Sequence, residues 1–115
     1  MNAGEARVAY EEAQWAVGET RRLAPDSPAS RDALAALWDA RCALRRAVDA
    51  ASCGDVAIEA AATASAKAAA ARATAVARRA SRAMNADLQP APLSPATGID
   101  RAPGSASAAR RSPRE

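Results

Sequence analysis

"AIEAAATASAKAAAARATAVARRASRA" occupies positions 57–83, and how it is read decides the fold. Alanine is the strongest helix former, and neither proline nor glycine interrupts the stretch. It predicts one long helix from Val56 to about Asn85, roughly 45 Å at the standard rise. On a wheel of about 100° per residue, Lys67, Arg72, Arg78, Arg79 and Arg82 fall within an arc of roughly 140°. Ile58, Ala62, Ala69, Ala73, Val76, Ala80 and Met84 gather on the other side. The helix is therefore two-faced, with an apolar face built mainly of methyl groups.

Such a face has a direct physical consequence. Methyl side chains let two helices approach more closely than the ~8 to 10 Å typical of larger residues. Each buried methyl contributes less than a buried leucine, at about 25 cal/mol per Å² of apolar area, so the contact has to be long. The expectation is a long, thin seam against neighbouring helices or against the same helix of another copy, with the guanidinium groups left in solvent.

Moving back from this stretch, "SCGD" at 52–55 reads as a helix end followed by a helix start. Gly54 supplies the left-handed conformation common after a helix, and Asp55 is placed to cap the next one. A second helix is expected over Ala29–Ser52, with Leu34, Leu37, Leu44 and Val48 on one stripe at three- and four-residue spacing. "APDSPAS" at 24–30 reads as a turn in which Asp26 or Ser27 caps that helix and Pro28 takes its first position. A first helix is expected from "NAGE" to Leu23, with Asn2 as cap and Glu5 at the third position of a capping box. The fold class is thus all-α, a three-helix antiparallel bundle with coiled-coil-like packing over residues 1–87.

From Leu88 the chain changes character. Residues 88–115 hold five of the seven prolines, with glycine, serine and the arginines Arg110, Arg111 and Arg114. This segment has too little apolar material to offset the entropy of ordering and is expected to be a disordered tail.

Composition narrows the function classes. About a third of the chain is alanine, and aromatics are confined to Tyr10, Trp15 and Trp38. Some fourteen large apolar side chains must serve three helices, a thin supply for a self-sufficient core, so a homodimer or a bound protein partner is expected. The absence of histidine removes the commonest general base and the commonest metal ligand. Cys42 and Cys53, eleven residues apart in or just after one helix, sit roughly 16 Å apart and cannot bridge. Glu11, Glu12 and Glu19 read as a solvated acidic face rather than as catalysts. No cofactor, metal or small-molecule site is expected. With no signal-peptide pattern at "MNAGEARVAYEEAQ" and no membrane-length apolar run, a cytoplasmic setting is expected.

Charge is uneven along the chain. Residues 1–59 carry ten acids against seven arginines, whereas 60–86 carry five cations and no acid. Cations near a helix C-terminus are favoured by the macrodipole and need no ligand. As a second reading, Lys67, Arg72, Arg78, Arg79 and Arg82, with Arg110 and Arg111 of the tail, form an interface for sequence-independent contact with nucleic-acid phosphates. Arg41 is an anomaly on the Leu37–Leu44 stripe, with Arg45 beside Trp38; an ion pair from Arg41 to Glu12 or Glu19 would fix the register of the first two helices. The alternative leaves its stem along the bundle edge and its head in water. Trp15 and Trp38 are expected as core or interface anchors. The leading functional expectation is a non-catalytic protein–protein interaction or assembly module that presents the outer part of the third helix.

Overall fold

A computed structural model describes residues 2–88; the third helix runs past its expected end near Asn85 to Leu88, the first residue of the predicted disordered tail, and the rest of that segment, 89–115 with Arg110, Arg111 and Arg114, lies outside the described residues. The described residues form three helices, α1 over Ala3–Leu23, α2 over Pro28–Cys53 and α3 over Val56–Leu88, with no strand among them. Each helix packs against the other two. The short turns at 24–27 and 54–55 reverse the chain twice, so α2 runs antiparallel to α1 and α3. The start of α1 meets α3 through Glu5 and Lys67, and its end at Leu23 borders the far end of α3 from Arg79 to Asp87, so α1 and α3 run parallel.

The ends of the helices follow from local chemistry. Asn2 accepts a hydrogen bond from the Glu5 backbone N–H at 3.1 Å, the Ser27 hydroxyl accepts one from Ser30 at 3.1 Å, and Asp55 accepts one from Ile58 at 3.1 Å. Each side chain satisfies a donor that a helix start leaves without an intrahelical partner. Pro28 occupies the first turn of α2. Gly54 closes that helix at φ 74°, the left-handed region that a Cβ disfavours. Of the two residues expected to cap α2, Ser27 takes the role, while Asp26 adopts φ 55° in the turn.

The expected capping box at α1 is only half formed. Glu5 does not return to Asn2; its carboxylate faces Lys67. The start of α1 is tied down by α3 instead. The Ala3 N–H donates to Glu59 at 2.8 Å, and the Thr63 hydroxyl donates to the Asn2 carbonyl at 3.0 Å.

The core is made of alanine. Ala6, Ala9, Ala13 and Ala16 of α1 are buried, as are Ala33, Ala36, Ala40, Ala43, Ala47 and Ala50 of α2. From α3 come Ala62, Ala66, Ala69, Ala70, Ala73 and Ala77. Along α1 and α2 these positions alternate three and four apart, the 3.5-residue repeat that keeps one seam facing its neighbours in a coiled coil, and on α3 adjacent Ala69 and Ala70 widen the seam so that it faces both partners. Among the described residues only Val17, Val76, Thr20 and Thr63 add larger buried side chains. The Thr20 hydroxyl is satisfied by the Ala16 carbonyl at 2.8 Å, so it carries no penalty for burial.

This corrects the expectation for α2. The stripe of Leu34, Leu37, Leu44 and Val48 is not the core face: Leu34 and Val48 are exposed, and Leu37 and Leu44 are half-buried at the margin of the seam. The buried alanines begin one residue earlier, at Ala33, and turn the leucines to the flank. An alanine seam brings the helix axes too close for leucine to fit between them. The tryptophans are not core anchors either, since Trp15 is 62% and Trp38 61% exposed. On α3 the expected face holds in its middle: Ala62, Ala69, Ala73 and Val76 are buried, Ala80 and Met84 half-buried, and Ile58 exposed.

Candidate protein interface

The five cations of α3 do not act as one solvated face. Lys67 Nζ lies 2.8 Å from Glu5 Oε1 on α1, and Arg72 Nη2 lies 2.6 Å from Asp39 Oδ2 on α2. These pairs flank the alanine seam on its two sides and stay substantially exposed, so they direct register more than they stabilise. Arg79 lines the same α2/α3 groove as Arg72, one heptad further on, and Asp32 stands across from it one heptad from Asp39. Arg78 and Arg82 are exposed and make no ion pair among the described residues. The structure thus assigns two of the proposed phosphate-binding cations to helix–helix contacts, places a third opposite an acid and leaves two outward.

Neighbouring cations tune the carboxylates in one direction. The hydrogen bond from Lys67 holds the Glu5 carboxyl below its ordinary range, and the hydrogen bond from Arg22 does the same for Glu19. The Arg22 guanidinium, 2.7 Å from Glu19, is raised in turn by that hydrogen bond. These shifts keep the acids ionised, the opposite of what a general acid at neutral pH requires. No group of three histidine, cysteine, aspartate or glutamate side chains gathers into a metal-holding cluster among the described residues. Cys42 and Cys53 are both exposed free thiols. No described helix is long and apolar enough to cross a membrane.

Glu19 is engaged with Arg22, and Arg41 forms no ion pair with Glu12 or Glu19 among the described residues. Its guanidinium lies over the Trp38 ring, 5.4 Å from the centroid, a cation–π contact on the outer surface of α2. The register of α1 and α2 is set by the alanine seam without it.

That contact belongs to a larger feature. A groove on the outer surface between α1 and α2 has Tyr10, Trp38, Leu44 and Val48 along its apolar floor and sides. Arg7, Arg41, Arg45 and Arg46 surround it, and no acid lines it among the described residues. On α2 the residues 34, 37, 38, 41, 44, 45 and 48 share one helix face by their three- and four-residue spacing. Sequence reasoning singled out Arg41, Arg45 and Trp38 on α2 but not Arg7 and Tyr10, which join them from α1. The missing signal was the alanine repeat at 33, 36, 40, 43, 47 and 50, which, read as the core, turns this whole face outward. Comparison with protein families, with curated proteins and with solved structures finds no match for the chain.

Proposed function

We propose that the protein is a non-catalytic helical interaction module that binds its partner along the outer face of α2, in the groove shared with α1. The partner is an acidic amphipathic helix. The observation that carries this reading is the inversion of the usual arrangement: alanine fills the core while Trp38, Leu34 and Val48 lie exposed on one helix face. Apolar side chains concentrated on an exposed face mark an interaction surface, and tryptophan, tyrosine and arginine are the residues that most often dominate binding energy. Four arginines, with no acid beside them among the described residues, set the sign of the partner's charge.

The exposed face of α3, where sequence reasoning placed the interface, offers less. Its exposed large apolar residues, Val56, Ile58 and Leu88, stand at its two ends, and its far end from Arg79 to Asp87 borders the turn around Ser27 and Pro28. What supports the second reading, sequence-independent contact with nucleic acid, is the outward pair Arg78 and Arg82. Lys67 and Arg72 already have carboxylate partners.

The test is fluorescence titration of the full chain, with Trp15→Phe leaving Trp38 as reporter, using a synthetic acidic amphipathic helical peptide as probe. Saturable binding with a blue shift is expected, weakened at least tenfold by Arg41→Glu together with Arg45→Glu. No saturable shift would overturn the reading. Tight duplex DNA binding that falls steeply with salt and with Arg78→Ala and Arg82→Ala would favour the second one.

A further inference from the structure

The α2 face beside the groove, with Leu37 and Leu44 seven apart and Arg41 between them, suits a partner helix with apolar residues seven apart and acids between them, and the chain carries such a helix face itself. On α1, Val8, Glu11, Glu12 and Trp15 are spaced three, one and three residues apart, which places them on one helix face. Val8 is 54% and Trp15 62% exposed, so neither is used in the bundle. Glu11 and Glu12 are exposed and make no ion pair among the described residues. The face reads apolar, acid, acid, apolar.

The face of α2 has the same period with the opposite charge. Leu37 and Leu44 are seven residues apart with Arg41 between them, and Arg45 follows one turn on. Seven residues span about 10.5 Å on either helix, so when Val8 and Trp15 meet Leu44 and Leu37, Glu11 and Glu12 come level with Arg41, and Arg45 lies one turn beyond. Within one molecule this cannot happen, because Val8 and Trp15 do not line the α1/α2 groove. The two faces are complementary only between copies.

We infer that the partner helix is α1 of a second copy, whose Val8–Trp15 face docks on the Leu37, Trp38 and Leu44 surface of the first, with its glutamates against Arg41 and with Arg45 flanking them. The inference rests on the reading of this groove as the interaction surface and names its occupant. It also gives a use to both tryptophans, which the bundle leaves in water. Apolar burial supplies the attraction, and the alternating charge selects one register and one orientation of docking.

Light scattering after size exclusion tests this on the full chain at about 100 μM, with circular dichroism to follow folding. The wild type is expected to run above monomer mass. Glu11→Arg with Glu12→Arg, and separately Arg41→Glu with Arg45→Glu, should each weaken self-association at least tenfold while remaining helical, since all four side chains are exposed. Mixing the two variants should restore association as a mixed complex, because the reversed α1 of one then faces the reversed groove of the other. Should either double reversal fail to fold, Trp15→Ala replaces it as the association readout. A monomeric wild type that still binds the acidic peptide would overturn self-docking and leave the groove reading standing. A monomer that binds no peptide would overturn both. An oligomer unmoved by either reversal, or a mixture that fails to associate, would place the contact elsewhere.

Discussion

Replacing Ala40 with leucine is expected to destabilise the monomer by about 3 kcal/mol, an effect at the upper end of ordinary overpacking. For a domain of this size that lowers the melting temperature by roughly 12–24 °C, at about 4–8 °C per kcal/mol. Ala40 is 0% exposed and lies in the repeat of Ala36, Ala40, Ala43 and Ala47 that packs against the alanines of α1 and α3. A leucine there has no space between the helices. It must either force α2 away from both neighbours, separating methyl contacts along the seam, or adopt a strained rotamer. In a bundle cored by Leu34, Leu37 and Leu44, the same substitution would fill space at the margin and leave stability nearly unchanged. Thermal unfolding followed by circular dichroism at 222 nm distinguishes the two cases.

The second large effect comes from removing methyl groups. Ala16, Ala47 and Ala70 lie on three different helices and are all buried. The register of Glu5 with Lys67 and Asp39 with Arg72 spaces their levels about 9 and 12 Å apart along the bundle, so their effects should nearly add. Each change to glycine costs about 1 kcal/mol in helix propensity and about 0.8 kcal/mol for the lost buried methyl. The triple variant therefore loses about 5 kcal/mol, comparable to the total stability of many small domains. Loss of a cooperative urea transition is expected, with a helical signal that declines gradually from zero denaturant. A triple variant that keeps a sharp transition within 1 kcal/mol of the wild type would show that these methyls are not the core.

The helices themselves were legible because their punctuation is chemical. Asn2, Ser27 with Pro28, Gly54 and Asp55 each act as their side-chain or backbone chemistry dictates, whatever packs around them. The buried face of α3 was legible in its middle because no large residue competes with the alanines there. On α2 the core was misread, since Leu34, Leu37, Leu44 and Val48 form a more hydrophobic stripe than Ala33, Ala36, Ala40 and Ala43, and weight by hydrophobicity favours the wrong one. What decides between them is distance between helix axes, a property of three helices together that no single wheel displays. The candidate site was half visible for the same reason. Trp38, Arg41 and Arg45 stood out on α2, while Arg7 and Tyr10 join them only once α1 is laid alongside. The ion pairs of Lys67 and Arg72 depend on that assembly too, and a wheel drawn for α3 alone shows those cations facing water.

The most direct measurement is urea unfolding of Trp38→Ala, made at a dilution where light scattering shows only monomer. An alanine core with its large side chains outside predicts a free energy of unfolding within about 0.5 kcal/mol of the wild type, as for other surface changes. A loss of about 3–5 kcal/mol, the cost of truncating a buried tryptophan, would contradict it and return the large apolar residues to the interior.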